Sequence, residues 1–216
     1  MNLHNKTISF LGDSITDFNY YISEIVKSLQ PRQWFNYGMW GTRIAPQLQP
    51  TINRPYKDYD FISRIKDINS KSDVVFVFGG TNDYDHGDVP LGKLGDKTVK
   101  TFYGALWTLI KKINTQCNNP IIIFITPMQH VNENNRLGDG TKTVPSGTLN
   151  DYVIAIIETA SKNQCHCVNL YRNKLLNPNI AAYGKKYFYE DLEHPTAAGH
   201  KLIAQDIIDN VLKIKE

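Results

Sequence analysis

ISFLGDSITDFNYYISEIVKSL, residues 8–29, sets a short β-branched and aromatic run, Ile8 to Leu11, directly against Gly12-Asp13-Ser14. A helical pattern follows, in which Phe18, Ile22, Ile25, Val26 and Leu29 recur at the spacing of one helix face. The run is continuous rather than alternating, which suits a strand covered on both faces. The same grammar repeats outward along the chain. Val74 to Phe78 and Ile121 to Ile125 read as further buried strands, Trp34 to Tyr37 and Cys165 to Leu170 as weaker ones. Helices are expected from the Phe102, Leu106, Leu109, Ile110 and Ile113 spacing, over Leu149 to Ala160, and from about Thr196 to Leu212. Strand and helix in alternation predict an α/β fold with a parallel sheet of five strands and helices on both faces. The longer loops, Tyr84 to Gly95 and Met128 to Gly147, follow two of the strong strands, where open α/β sheets place their ligand crevice.

The 216 residues hold 24 Lys and Arg against 21 Asp and Glu, a formal +3, with 41% hydrophobic and 21% charged residues. That composition excludes disordered, collagen-like and membrane-embedded classes and predicts one soluble domain over residues 1–216. A chain of this length buries roughly 70% of its unfolded surface, so it needs no disulfide framework or structural metal. Three surplus charges without a Lys/Arg run argue against nucleic acid as a partner. An odd set of cysteines, Cys117, Cys165 and Cys167, points to a reducing compartment. Cys165-His166-Cys167 is too closely spaced for the usual zinc pair and has no second pair, so a strand with small core-facing residues is the preferred reading. MNLHNKTISF lacks the plan of a signal peptide, and no stretch approaches 18 apolar residues, so a cytoplasmic location without a membrane partner is expected. Oligomeric state is not legible here; a homo-oligomer is compatible with the sequence.

Ser14 stands at a strand end and close to a helix start, where free backbone N–H groups and the helix dipole can stabilise an oxyanion. Taken alone, Ser and Asp at that place are also favoured helix caps. Asp191-Leu192-Glu193-His194 near the C-terminus supplies a base and an orienting carboxylate, with Pro195 suited to a helix's first turn. Glu190 and Glu193 are neighbouring carboxylates, so spacing favours Asp191 without deciding it. Gly79-Gly80-Thr81-Asn82-Asp83 follows the third strand and offers an amide donor at Asn82, or else an ordinary Asx-type turn. Asn36-Tyr37-Gly38-Met39-Trp40-Gly41 follows the second, with glycines that let a backbone N–H come close. Each block is ambiguous singly. Together they gather a nucleophile, a base with its orienter and oxyanion donors at loops on one sheet edge, which caps and turns do not predict.

These four blocks, in this order and over nearly the whole chain, resemble the SGNH, or GDSL-type, hydrolases. The resemblance implies a three-layer α/β/α, flavodoxin-like sandwich with strand order 2-1-3-4-5. It further implies Ser14 as nucleophile, His194 as base, Asp191 as orienter, and an oxyanion hole from the N–H groups of Ser14 and Gly41 and the side chain of Asn82. Ile15 departs conservatively from the Leu of the eponymous motif, and one residue of loop shift would exchange Gly41 with Gly38 as donor. His200 reads as a surface or packing residue. His86 and His130 lie in loops at the site edge and, with Trp40, Tyr84 and Tyr189, would line a polar, aromatic pocket suited to a sugar.

The expected activity is that of a serine esterase needing no metal or cofactor, acting through an acyl-enzyme on a small-molecule ester. The loops NYGMWGTR, NDYDHGD and MQHVNENNR favour an acetyl ester of a carbohydrate or small polar alcohol over a lysophospholipase or thioesterase substrate. A non-catalytic module for a phosphorylated ligand is the rival from another class, and it leaves Asp191 and His194 without a role. Gly87 to Lys93 nearly matches a phosphate-binding loop, but Leu94 stands where a magnesium-holding Ser or Thr belongs.

Overall fold

The computed structural model describes residues 1–52 and 54–215. Its strands are β1 (Thr7–Gly12), β2 (Gln33–Gly38), β3 (Val74–Phe78), β4 (Ile121–Ile125) and β5 (His166–Val168). They form one parallel sheet in the order β2-β1-β3-β4-β5. Successive side chains leave a strand on opposite faces, and the two hydrophobic cores divide accordingly. Phe10 of β1, Val74, Phe76 and Phe78 of β3, and Ile123 and Ile125 of β4 enter one core. Leu11, Val75, Val77, Ile122 and Phe124 enter the other.

The helices are α1 (Ser14–Asp17), α2 (Tyr20–Leu29), α3 (Phe61–Arg64), α4 (Thr81–His86), α5 (Phe102–Gln116), α6 (Leu149–Lys162), α7 (Ala181–Tyr187) and α8 (Ala197–Lys213). Through Tyr21, Ile22, Ile25, Ile203, Ile207 and Val211, α2 and α8 cover the first core. The second is covered by α3, α5 and α6 through Phe61, Leu106, Leu109, Ile110, Tyr152 and Ile156. The expected sandwich and strand order are therefore what the chain adopts. Among the described residues no helix is long and apolar enough to cross a membrane.

Local structure departs from the sequence reading in three places. The helix expected from Phe18 onward is broken, because Asn19 takes a left-handed φ of 65° between α1 and α2. α4 replaces a turn: Gly80, in the left-handed region, lets Thr81 to His86 coil at once although this segment has no apolar periodicity. The short helices α3 and α7, of four and seven residues, carry too little pattern to be read.

What positions the site is the register at the carboxyl edge. Gly12 pairs with both Gly38 and Phe78, and Phe78 pairs with Ile125, so four strands end level. The chain leaves β1 toward β2 on one side and returns to β3 on the other, which makes the β1/β3 boundary the topological switch point. The loops bearing Ser14 and Asn82 rise on either side of it.

Candidate active site

Asp13 caps α1 by accepting the Ile15 N–H at 3.1 Å, which leaves Ser14 as the first helical residue, 5% exposed. The partner segment is a tight strap before α8. Phe188 and Pro195 form an isolated antiparallel bridge, the Tyr189 N–H donates to the His194 carbonyl at 2.9 Å, and Leu192 turns the chain with φ 55°. The turn lets the Asp191 carboxylate accept from the backbone N–H groups of Glu193 (3.0 Å) and His194 (2.9 Å) while its Oδ2 lies 2.8 Å from His194 Nδ1. Nε2 of the same ring is 2.9 Å from Ser14 Oγ. With Nδ1–H given to Asp191, Nε2 carries the lone pair that accepts the serine hydroxyl. Partial burial works against the Asp191 carboxylate, but the N–H groups and imidazole around it prevail and hold its pKa below the usual value. Trp40 stacks on the imidazole at 4.8 Å and Phe18 meets it edge-on at 5.6 Å, fixing the ring plane.

The amide of Asn82 stands in the first turn of α4 and donates to Asp13 Oδ2 at 3.4 Å. Gly38 and Gly41, interchangeable on sequence, differ in how their N–H groups are used. That of Gly38 is spent on Asn36 Oδ1 at 2.8 Å, whereas no hydrogen bond occupies that of Gly41 among the described residues. Gly41 also needs its glycine, with φ 66° and the Lys57 side chain where a Cβ would point.

Two residues that sequence reasoning gave no role hold this loop in place. The Asp83 carboxylate accepts the N–H groups of Ile44 (2.9 Å) and Ala45 (2.8 Å). The Arg64 guanidinium donates to the carbonyls of Gly12, Tyr37 and Tyr59 and to Thr42 Oγ1. Its signal was present: Phe61, Arg64, Ile65 and Ile68 share helical spacing, so the arginine falls on the apolar, inward face.

Burial pushes the Asp13 carboxyl up to about 7, with the Ile15 N–H pulling it down and Glu193 pushing it further up. A folded-state pKa above the ordinary 3.8 means that the group's stabilising contribution is whole below that value and is lost as pH rises through about 7. Asp13→Asn keeps a capping oxygen and cannot ionise. It is expected to exceed the parent in stability by more at about pH 8 than at about pH 5 in urea unfolding, the two converging only below the ordinary carboxyl pKa. A gain of the same size at both pH values would rule out ionisation as the cause.

The residues expected to line a pocket separate. His130, nearly buried, borders a small hollow of about 10 Å³ shared with Ser14, Asn82, Gln129 and Glu193. Trp40 is half exposed over the His194 imidazole, and Tyr189 is exposed on the strap. His86 sits with Arg43, Lys57, Asp139 and Lys142 on a larger cleft of about 800 Å³. Gly41 adjoins that cleft through Lys57 and the His86 ring. Burial holds the His86 imidazole down at about 4, with Lys57 and Arg43 adding to it, so it is neutral at pH 7. Tyr84 corrects the expectation: its ring is fully buried in a core and its hydroxyl donates to the carbonyls of Asn132 and Asn135, bracing the loop after β4. His200 is a packing residue, fully buried with its ring stacked on Tyr21.

No curated protein matches the sequence. Among solved structures, a protein from Lactobacillus plantarum is similar with a TM-score of 0.82 and 27% identity, covering 98% of this chain and 99% of that one. A "possible lipase" from Chitinophaga pinensis has a TM-score of 0.65 at 22% identity, over 95% and 97% of the two chains. An acetyl xylan esterase has 0.60 at 21%, over 95% and 99%. The last two likenesses concern the fold. Residues 10–202 match the model of the GDSL-like lipase/acylhydrolase family.

Proposed function

This chain belongs to the GDSL-like lipase/acylhydrolase family, and we propose that within it the protein is a serine esterase for short-acyl, chiefly acetyl, esters of a carbohydrate or small polar alcohol. The observation that carries the reading is the unbroken relay from Ser14 Oγ through His194, at 2.9 Å, to Asp191, at 2.8 Å, across 180 positions of sequence. As the serine oxygen attacks the ester carbonyl, its proton passes to His194 Nε2, and Asp191 steadies the imidazolium. The carbonyl oxygen becomes an oxyanion that the N–H groups of Ser14 and Gly41 and the Asn82 amide receive. Collapse expels the alcohol, which takes the proton from His194. Water, deprotonated by the same imidazole, then releases the acid from the acyl-enzyme. No step calls on a metal or cofactor.

The preference for a polar substrate is supported by what borders the serine. His130, Gln129 and Glu193 line the hollow, and Lys57, His86, Asp88 and Thr141 are among the residues of the adjoining cleft, where a long acyl chain would cover polar groups. Ile52, Val89 and Val144 in that cleft favour the second reading, a longer acyl chain. A panel of aryl acetate, aryl octanoate and sugar acetates separates them: acetates are expected to exceed octanoate in kcat/KM by about tenfold or more. The reverse order would replace the polar reading with the lipid one. On the favoured substrate Asn82→Ala is expected to lower kcat by about 100- to 1,000-fold, whereas a change confined to KM would make it a substrate-binding residue. A fluorophosphonate that fails to label Ser14 would leave the phospho-ligand module as the better account.

A further inference from the structure

Asp85, His130 and Glu193 each bring one ligand atom to within 4.8 Å of the others. None belongs to the Ser14–His194–Asp191 relay. They arrive from three segments: the last turns of α4, the loop after β4, and the strap before α8. Asp85 is only 4% exposed, yet its fully buried Oδ1 has no hydrogen-bond partner. A buried carboxylate oxygen left unmatched is costly unless the group takes up a proton, towards which burial and the Glu193 and Asp139 charges push Asp85 by raising its pKa to about 8, or unless a cation meets it. The imidazole and the second carboxylate beside it are the groups that would complete such a cation's coordination rather than satisfy the oxygen directly. Lys142, the nearby ammonium, is already engaged with the Asp83 carbonyl, Ser146 Oγ and Tyr152 Oη.

We propose that Asp85, His130 and Glu193 bind one divalent transition-metal cation of the zinc or manganese kind. Two carboxylates and an imidazole form a mixed oxygen and nitrogen donor set, in which the imidazole suits zinc and the carboxylates suit manganese, whereas magnesium and calcium take oxygen ligands. Three protein ligands leave at least one coordination position open. Metal–ligand bonds of roughly 2.0–2.2 Å require the donor atoms to draw closer than they stand here. The Glu193 side chain, on the half-buried strap, can supply that movement. His130 and Glu193 line the same hollow as Ser14 and Asn82, so the cation would stand at the edge of the serine's site. The site holds whether or not Ser14 is the nucleophile.

The test is calorimetric titration of Mn²⁺, and separately Zn²⁺, into the chelator-stripped full chain. One ion per chain is expected. Asp85→Asn and His130→Gln should each weaken binding by at least tenfold to 100-fold, the loss typical of even an outer-shell partner. Glu193→Gln, on the surface strap, serves as a third variant should either of the buried ones fail to fold. Ser14→Ala should bind as the parent does, and so should a Cys165→Ser/Cys167→Ser double variant, which removes the sulfur ligands beside His166. Absence of stoichiometric binding would overturn the proposal. So would binding that survives all three ligand substitutions, or that disappears with the cysteines.

Discussion

Ser14→Ala is expected to lower kcat on aryl acetates by about a million-fold, the size of effect found when a triad nucleophile is removed, with thermal unfolding unchanged. The two halves of that expectation have separate causes. The hydroxyl makes one hydrogen bond, to His194 Nε2, and the cap of α1 is the Asp13 side chain, so its loss leaves the local fold supported. Any residual rate comes from binding and from oxyanion donors that the substitution leaves in place. Mass spectrometry after fluorophosphonate treatment should find the label on Ser14 in the parent and none in the variant. A kcat within tenfold of the parent's would mean that another residue attacks.

The largest expected effect on stability lies at Arg64→Ala, a loss of about 3–5 kcal/mol, since each buried acceptor deprived of its donor costs about 1–3 kcal/mol. The guanidinium is 5% exposed and joins the last carbonyl of β1, at Gly12, to Tyr37 of β2, Tyr59 and Thr42, with the Phe61 ring beneath it at 5.0 Å. Burial lowers its pKa to about 10, with Asp13 and Asp60 among the charges holding it up, so it stays charged at neutral pH. Alanine would take a donor from three carbonyls, of which that of Gly12 keeps the Met39 N–H, and would free the loop that carries Gly41. Activity should therefore fall with stability. Arg64→Lys restores the charge but cannot span four acceptors in a fixed fork, so it should recover only part of the loss. Chemical unfolding that shows less than about 1 kcal/mol for the alanine variant would make the arginine a surface accessory.

The chain order of the chemistry was readable early. β1, β3 and β4 are continuous apolar runs, and Ser14, Asn82 and the Asp191–His194 pair follow strand or helix signals that depend on only a few adjacent residues. Such signals survive in one dimension because backbone conformation and side-chain periodicity are local. Tyr84 shows where that logic stops. Its place in a polar loop, NDYDHGD, suggested a pocket wall, but α4 winds it inward against Tyr152 and its hydroxyl finds carbonyls some 50 positions away.

Local patterning of apolar, glycine and capping residues was thus enough to write the five strands, the longer covering helices and the order of the reactive blocks, while the strand order came from the family resemblance. Which N–H remains unspent, Gly38 or Gly41, was set by contacts across the fold, as were the bracing of that loop by Arg64 and Asp83 and the convergence of Asp85, His130 and Glu193. Each of these depends on groups far apart in the chain meeting at hydrogen-bond or ligand distance. That proximity exists only after both cores have packed, and no local periodicity encodes it.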